Sequence, residues 1–189
     1  MAIRKCVVAV PARLQSSRLP NKVLADIGGK PMIQRVLERC RESTAVDTVV
    51  LCTDSQNLRQ RASAWGFPVL MTAESCSSGS DRIASVADAL MALAWGDATP
   101  AAEQTAVINV QGDEPFLNFL DIDTLADFFI QEKRFDLCTL YSDFTSQQDI
   151  SDPNLVKLWL DQKNTVRAFS RREDFMENSQ FLRALHIGV

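Results

Sequence analysis

The chain has 189 residues, 46% hydrophobic and 23% charged, which predicts one soluble globular domain with a substantial core and excludes a low-complexity or disordered chain. Its net charge of -4 argues against sequence-independent nucleic-acid binding, which needs a broad basic face, but suits a small anionic ligand held by a local basic loop. The 5 cysteines are scattered without a CxxC pair, the pattern of a reducing cytoplasm, and no signal peptide or membrane-length apolar run is evident.

The first predicted strand is Cys6-Val7-Val8-Ala9-Val10, a short apolar run of the kind buried inside a covered sheet. It breaks at Pro11 into a loop bearing Arg13, Arg18 and Lys22. Such a loop leaves the carboxyl end of its strand, where open α/β sheets bind ligands. Two guanidinium forks and an ammonium there have the chemistry of a polyphosphate clamp. The common phosphate-binding patterns GxxxxGK[ST] and GxGxxG are absent, and Pro31 of Gly28-Gly29-Lys30-Pro31 has no N–H for a Walker-type nest. Gly28-Gly29 reads as a tight turn, with Pro31 in the first turn of a helix over Met32–Arg41 whose apolar positions recur at helical spacing.

Residues 48–52 form the second predicted strand, and Thr53-Asp54-Ser55 is suited to capping a helix over 56–65. A third strand over 68–71 and a polar loop over 72–79 lead to Ser80-Asp81-Arg82 and a single helix reaching Trp95. A fourth strand over 105–110 ends in Gln111-Gly112-Asp113-Glu114-Pro115, followed by a helix over 122–131 and a strand over 137–141. This alternation predicts an α/β fold: a mainly parallel sheet with right-handed crossovers and helices on both faces. From Ser151 the pattern changes. Residues 154–161 and 165–170 alternate about a turn at Gln162-Lys163-Asn164, predicting an antiparallel excursion and a dimer surface. Ala184-Leu185-His186-Ile187-Gly188-Val189 reads as an interrupted strand, with the expectation that the natural protein continues past Val189.

Three segments that follow predicted strands carry candidate chemistry. Asp113 sits on a glycine turn beyond an apolar strand, and magnesium takes one or two carboxylates together with substrate phosphates. Ser78-Gly79-Ser80-Asp81-Arg82 opens a helix, with Ser80 as a simple N-cap in the plainest reading. With the basic loop, these segments would make a metal-nucleotide site at one sheet edge.

The ordered set Pro11-Ala12-Arg13, Ser17-Arg18-Leu19-Pro20-x-Lys22, Gly29-Lys30-Pro31-Met32-Ile33, Thr53-Asp54, Ser78-Gly79-Ser80-Asp81-Arg82 and Asn109-Val110-Gln111-Gly112-Asp113-Glu114-Pro115 resembles the 3-deoxy-manno-octulosonate (KDO) cytidylyltransferases, or CMP-KDO synthetases. The resemblance continues through Asp152-Pro153-Asn154-x-Val156-Lys157, Phe169-Ser170-Arg171 and Leu185-His186-Ile187-Gly188. It implies a Rossmann-like nucleotidyltransferase domain over 1–189 in which 151–189 serves dimerisation and sugar binding. It also implies a cytoplasmic homodimer, with no nucleic-acid or membrane partner, that transfers CMP from CTP to KDO for lipopolysaccharide biosynthesis and releases pyrophosphate. Matched onto this chain, Arg13, Arg18 and Lys22 would hold the triphosphate and Asp113 would bind Mg²⁺. Pro11, Ala12, Ser78 and Gly79 would shape the cytidine pocket, and Gln111 and His186 would contact the sugar acid. Around the SGTxR loop the family usually has Thr and often a preceding His, where this chain has Cys76-Ser77-Ser78-Gly79-Ser80-Asp81-Arg82, with Ser for Thr and no His, and its second metal-binding aspartate has no match before Val189. A nucleotidyltransferase for a different sugar or acidic sugar, or a non-catalytic nucleotide-binding or assembly form of the same fold, are the alternative expectations.

Overall fold

Strand β1 (Lys5–Ala12) is buried at every residue after the first, which requires that both faces of its sheet be covered. The computed structural model describes residues 3–15, 19–132, 136–144, 151–172 and 182–186. They fall into two compact units, Met1–Asp136 and Leu137–Gly188.

In the first unit β1 pairs in parallel with β4 (Thr48–Thr53) on one side and β6 (Thr105–Asn109) on the other. Strand β5 (Val69–Met71) extends the β4 side, so the order is β5-β4-β1-β6. The chain leaves β1 toward β4 and later returns to β6. That reversal opens a crevice beyond the carboxyl ends of β1 and β6. Val7, Ala9, Val50 and Cys52 pack against Ile83, Leu90 and Ala94 of helices α3 (Gly79–Ala84) and α4 (Ala87–Trp95). Strand alternation turns Val8, Val10, Val49 and Leu51 to the opposite face, where α1 (Met32–Arg41) packs on β1 and β4 and meets α5 (Phe119–Gln131). The predicted parallel sheet with helices on both faces is therefore present.

Local chemistry explains where boundaries moved. Gly28 and Gly29 have φ of 59° and 83°, the two positive values of a type I′ turn, and join β2 (Asp26–Ile27) to β3 (Lys30–Pro31) as a hairpin. Pro31, expected inside the first helical turn, is instead the N-cap of α1 with extended ψ of 143°. The helix α2 (Gln56–Ala64) begins as expected, with Ser55 Oγ accepting from the Leu58 N–H at 3.3 Å. The helix predicted from Ser80 to Trp95 is two helices. Ser85 Oγ donates to the Arg82 carbonyl at 2.7 Å, a side-chain bond that competes with continued helix at the break. Ser78, in place of Ser80, caps α3 by accepting the Asp81 N–H at 3.0 Å.

The second unit is the antiparallel sheet β7-β10-β8-β9, made of β7 (Tyr141–Ser142), β8 (Lys157–Leu160), β9 (Val166–Ser170) and β10 (Leu182–His186). The strand expected over 137–141 is reduced to Tyr141–Ser142 and belongs here, paired antiparallel with β10, and not to the parallel series. Leu158, Leu160, Ala184 and Val166 form this unit's core. The end of the predicted last strand, 187–189, lies outside the described residues. Among the described residues no helix is long and apolar enough to cross a membrane, and none of the 5 cysteines forms a disulfide.

Candidate functional site

Two close approaches bring three loops of the first unit together at the end of β1. A Cβ on Gly79, at the start of α3, would lie 3.0 Å from Pro11 Cγ. A Cβ on Gly112, just past β6, would lie 3.0 Å from the Pro11 carbonyl oxygen and 3.2 Å from Ala12 Cβ. A side chain at either position would press on the buried Pro11-Ala12 strand end, and glycine lets both segments close on it.

The three loops enclose a cavity of about 300 Å³. From the end of β1 and the loop after it come Pro11, Ala12, Arg13 and Lys22; the start of α3 adds Ser78 and Gly79; the turn after β6 adds Gln111 and Asp113. Eight of the residues singled out from the sequence thus meet at one place. Arg18 lies outside the described residues. His186 lies in the second unit, on β10, where its Nε2 is 3.0 Å from Thr139 Oγ1 and its ring meets Phe169 edge-on with centroids 5.5 Å apart.

Local bonds set each group. The Asn21 N–H donates to the Leu14 carbonyl at 3.1 Å, closing the basic loop at its base, and Asn21 takes a left-handed φ of 56° before the short 3₁₀ turn Lys22–Leu24. Val23 of that turn is buried, which fixes Lys22 toward the crevice. Lys22 Nζ donates to Asp113 Oδ2 at 2.7 Å. Arg13 is exposed, and its guanidinium makes no ion pair among the described residues. The half-buried Gln111 donates through Nε2 to Asn109 Oδ1 at 3.2 Å. Desolvation first, and then the charge of Asp113, holds the Glu114 carboxyl above its ordinary range, with Lys22 opposing. Hydrogen bonds from the Ser77 hydroxyl and then from Ser78 hold the Asp81 carboxyl below its ordinary range.

One residue of this wall, present in the Ser78–Arg82 segment, had no role of its own from the sequence. Arg82 is only 3% exposed and forms an ion pair with Asp54 Oδ2 at 2.8 Å, while its other terminal nitrogen donates to Thr72 Oγ1. Its signal was weak because the two partners stand 28 and 10 positions away in the chain. Among the described residues no three His, Cys, Asp or Glu side chains gather as a metal site. Asp113 is the carboxylate that faces the cavity at the position expected for a metal ligand.

The Cytidylyltransferase family model matches residues 7–189. The chain is 39% identical over 192 residues to the 3-deoxy-manno-octulosonate cytidylyltransferase of Francisella tularensis subsp. novicida, covering 96% of this chain and 72% of that protein. It belongs to the 3-deoxy-manno-octulosonate cytidylyltransferase family. The relative of that name from Idiomarina loihiensis is 40% identical across 87% of this chain and 61% of its own length. A solved structure of CMP:2-keto-3-deoxy-manno-octonic acid synthetase complexed with CTP superposes with a TM-score of 0.80 at 33% identity, covering 98% of this chain and 72% of that one. A 4-diphosphocytidyl-2C-methyl-D-erythritol synthase, 16% identical with a TM-score of 0.55, shares the fold across 98% of this chain and 75% of its own. Membership in the 3-deoxy-manno-octulosonate cytidylyltransferase family accounts for the order of the motifs along the chain, from the basic loop to the turn that carries Asp113.

Proposed function

We propose that this protein transfers the cytidylyl group of CTP to the anomeric hydroxyl of KDO, supplying CMP-KDO for lipopolysaccharide biosynthesis. The observation that carries the reading is the meeting of Arg13, Lys22 and Asp113, from loops after β1 and β6, on one cavity beside the Ser78-Gly79 segment. In the reaction the anomeric oxygen forms a bond to the α-phosphorus. The bond from that phosphorus to the bridging oxygen breaks, pyrophosphate leaves with the electron pair, and the hydroxyl proton passes to solvent.

Arg13, Arg18 and Lys22 neutralise the triphosphate and the departing pyrophosphate, the electrostatic and positioning work that dominates phosphoryl-type transfer. Pro11, Ala12, Ser78 and Gly79 line the nucleoside end, and Gln111 and His186 are assigned to the sugar acid on the family resemblance. Asp113 fits a magnesium ion that arrives with the nucleotide: an exposed carboxylate on the cavity wall supplies one hard oxygen ligand and the phosphates supply others. The ion would stabilise charge on the phosphate oxygens. A cytoplasmic homodimer in which residues 151–189 serve dimerisation and sugar binding completes the proposal.

The test is a reaction of the purified protein with CTP, KDO and Mg²⁺, followed by pyrophosphate release and by mass spectrometry of the nucleotide sugar. CMP-KDO should form, with calorimetric affinity for CTP above that for ATP or GTP. Binding of all nucleotides with equal affinity and no CMP-sugar product would overturn the reading.

A further inference from the structure

Among the described residues, the cations that line the cavity include Arg13, Lys22 and Arg82. The structure gives Arg82 a different environment from the others it describes. Its side chain is 3% exposed, whereas Arg13 is exposed and Lys22 lies at 38%. Both of its terminal nitrogens are engaged, one by Asp54 at the end of β4 and the other by Thr72 just after β5. Thr72 is in turn tied to the residue before Asp54, its N–H donating to the Thr53 carbonyl at 3.0 Å. On the other side, the Arg82 N–H donates to the Ser78 carbonyl at 3.1 Å, and the Ser85 hydroxyl donates to the Arg82 carbonyl at 2.7 Å.

We infer that Arg82 is a positioning residue that fixes the Ser78-Gly79 wall against Pro11 and thereby sets recognition of the nucleoside, and that it is not a phosphate ligand. This rests on the reading of Ser78 and Gly79 as part of the nucleoside pocket. The physical reason is geometric. A planar guanidinium satisfies two acceptors at fixed angles, whereas an ammonium is a point charge without that fork. The fork therefore sets the distance of α3 from the carboxyl ends of β4 and β5. Gly79 already approaches Pro11 so closely that a methyl group would stand 3.0 Å from Pro11 Cγ, so a small shift of α3 changes the width of the pocket directly. Phosphate recognition, held by the loop after β1 and the turn after β6, does not depend on that distance.

The experiment compares CTP with inorganic tripolyphosphate, which carries the anion without the nucleoside, by calorimetry on the full chain and on Arg82→Lys, Asp54→Asn and their double variant. Arg82→Lys and Asp54→Asn should each weaken CTP binding about tenfold, which corresponds to about 1.4 kcal/mol. Tripolyphosphate binding should stay within about twofold of wild type. The double variant should be no weaker for CTP than the worse single one, because both act through one contact. Circular dichroism and melting identify folded variants, and Thr72→Ser, which keeps a hydroxyl, should retain CTP affinity and provides a folded control. If the charge variants do not fold, Thr72→Val carries the same comparison. A parallel loss of CTP and tripolyphosphate would make Arg82 a phosphate ligand, and unchanged CTP affinity in a folded Arg82→Lys would remove it from recognition; either result overturns the inference alone. A wild-type protein that binds CTP no better than tripolyphosphate would overturn the cytidylyltransferase reading and this inference with it.

Discussion

The Lys22 ammonium stands 2.7 Å from Asp113 Oδ2 and ties the loop that follows β1 to the turn that follows β6. Both side chains are more than a third exposed, at 38% and 43%, so the pair contributes about 1 kcal/mol or less to stability. A contact this weak orients its two groups without holding them against a ligand. The lysine can turn to phosphate while the carboxylate turns to a cation.

Asp113→Asn should therefore separate stability from chemistry. The amide keeps the shape and loses the anion, so the melting temperature should move by only a few degrees. Pyrophosphate release should fall by roughly 100-fold or more, the scale seen when one preorganised charge-stabilising group is removed. Undiminished turnover in a folded variant would take the metal-binding role away from this residue.

Arg13 offers the corresponding test of the anion clamp. Hydrogen bonds to charged groups contribute about 1.5–3 kcal/mol, so Arg13→Ala should raise the CTP dissociation constant by roughly 10- to 100-fold, and Arg13→Lys should recover part of that loss. Calorimetric titration reads both values. Equal affinity in all three proteins would leave Arg13 a solvated loop residue.

Helix α1 was legible in the sequence because Ile33, Val36, Leu37 and Cys40 repeat at helical spacing, and all four are fully buried. Strand β1 was legible because a short, wholly apolar run suits a strand covered on both faces. What periodicity could not supply was partnership. Tyr141 follows an apolar segment like the earlier strands, yet its pairing partner is His186, far along the chain. The break after Ala84 depends on one hydroxyl turning back to a carbonyl, against an otherwise good helical pattern. Of the candidate site, the residues carried on strand-end loops were legible because the crevice position follows from α/β topology. Arg82 was not, since a buried ion pair is defined by a partner that spacing does not reveal.

Gly112→Ala tests the close approach that assembles the site. Its new methyl group would lie 3.0 Å from the Pro11 carbonyl, 3.2 Å from Ala12 Cβ and 3.2 Å from Ile33 Cδ1. Two of those neighbours belong to a buried strand, so the contact is relieved by a shift of a few tenths of an ångström in the turn carrying Asp113. Overpacking of this kind costs typically 1–3 kcal/mol. Urea denaturation should show that loss together with weaker CTP binding, whereas wild-type stability would mean that the strand end yields more easily than its burial implies.

The cysteines divide by environment. Burial pushes the thiols of Cys6, Cys40 and Cys52 up to about 12, leaving roughly one in ten thousand as thiolate at pH 8, the form that reacts with alkylating agents. Cys76 is half-buried and lines the cavity. N-ethylmaleimide should therefore modify Cys76 in the native protein well before these three, and CTP should slow that modification. Peptide mapping by mass spectrometry identifies the sites. Labelling of Cys76 at the same rate with and without saturating CTP would place the nucleotide elsewhere.

The second unit carries its own pH signature in Asp161. Its Oδ1 accepts the Lys163 N–H at 2.8 Å and the Thr165 N–H at 2.9 Å, while Oδ2 accepts from Arg167 at 2.7 Å. The backbone donors, chiefly that of Thr165 and then that of Lys163, lower its carboxyl from the ordinary 3.8 to about 2, with Arg167 adding a smaller effect. A depressed folded value means that the folded state holds its proton less tightly than the unfolded chain. The contribution of Asp161 is thus fully present above the ordinary value and is lost as pH falls from about 4 toward 2. Asp161→Asn removes the anion at every pH, so its denaturation midpoint should lie below that of wild type near neutrality and converge with it at pH 2. Carbon-detected NMR titration should place the Asp161 midpoint near 2. A midpoint close to 4, or a constant gap between the two proteins across that range, would show that the carboxylate does not organise the turn between β8 and β9.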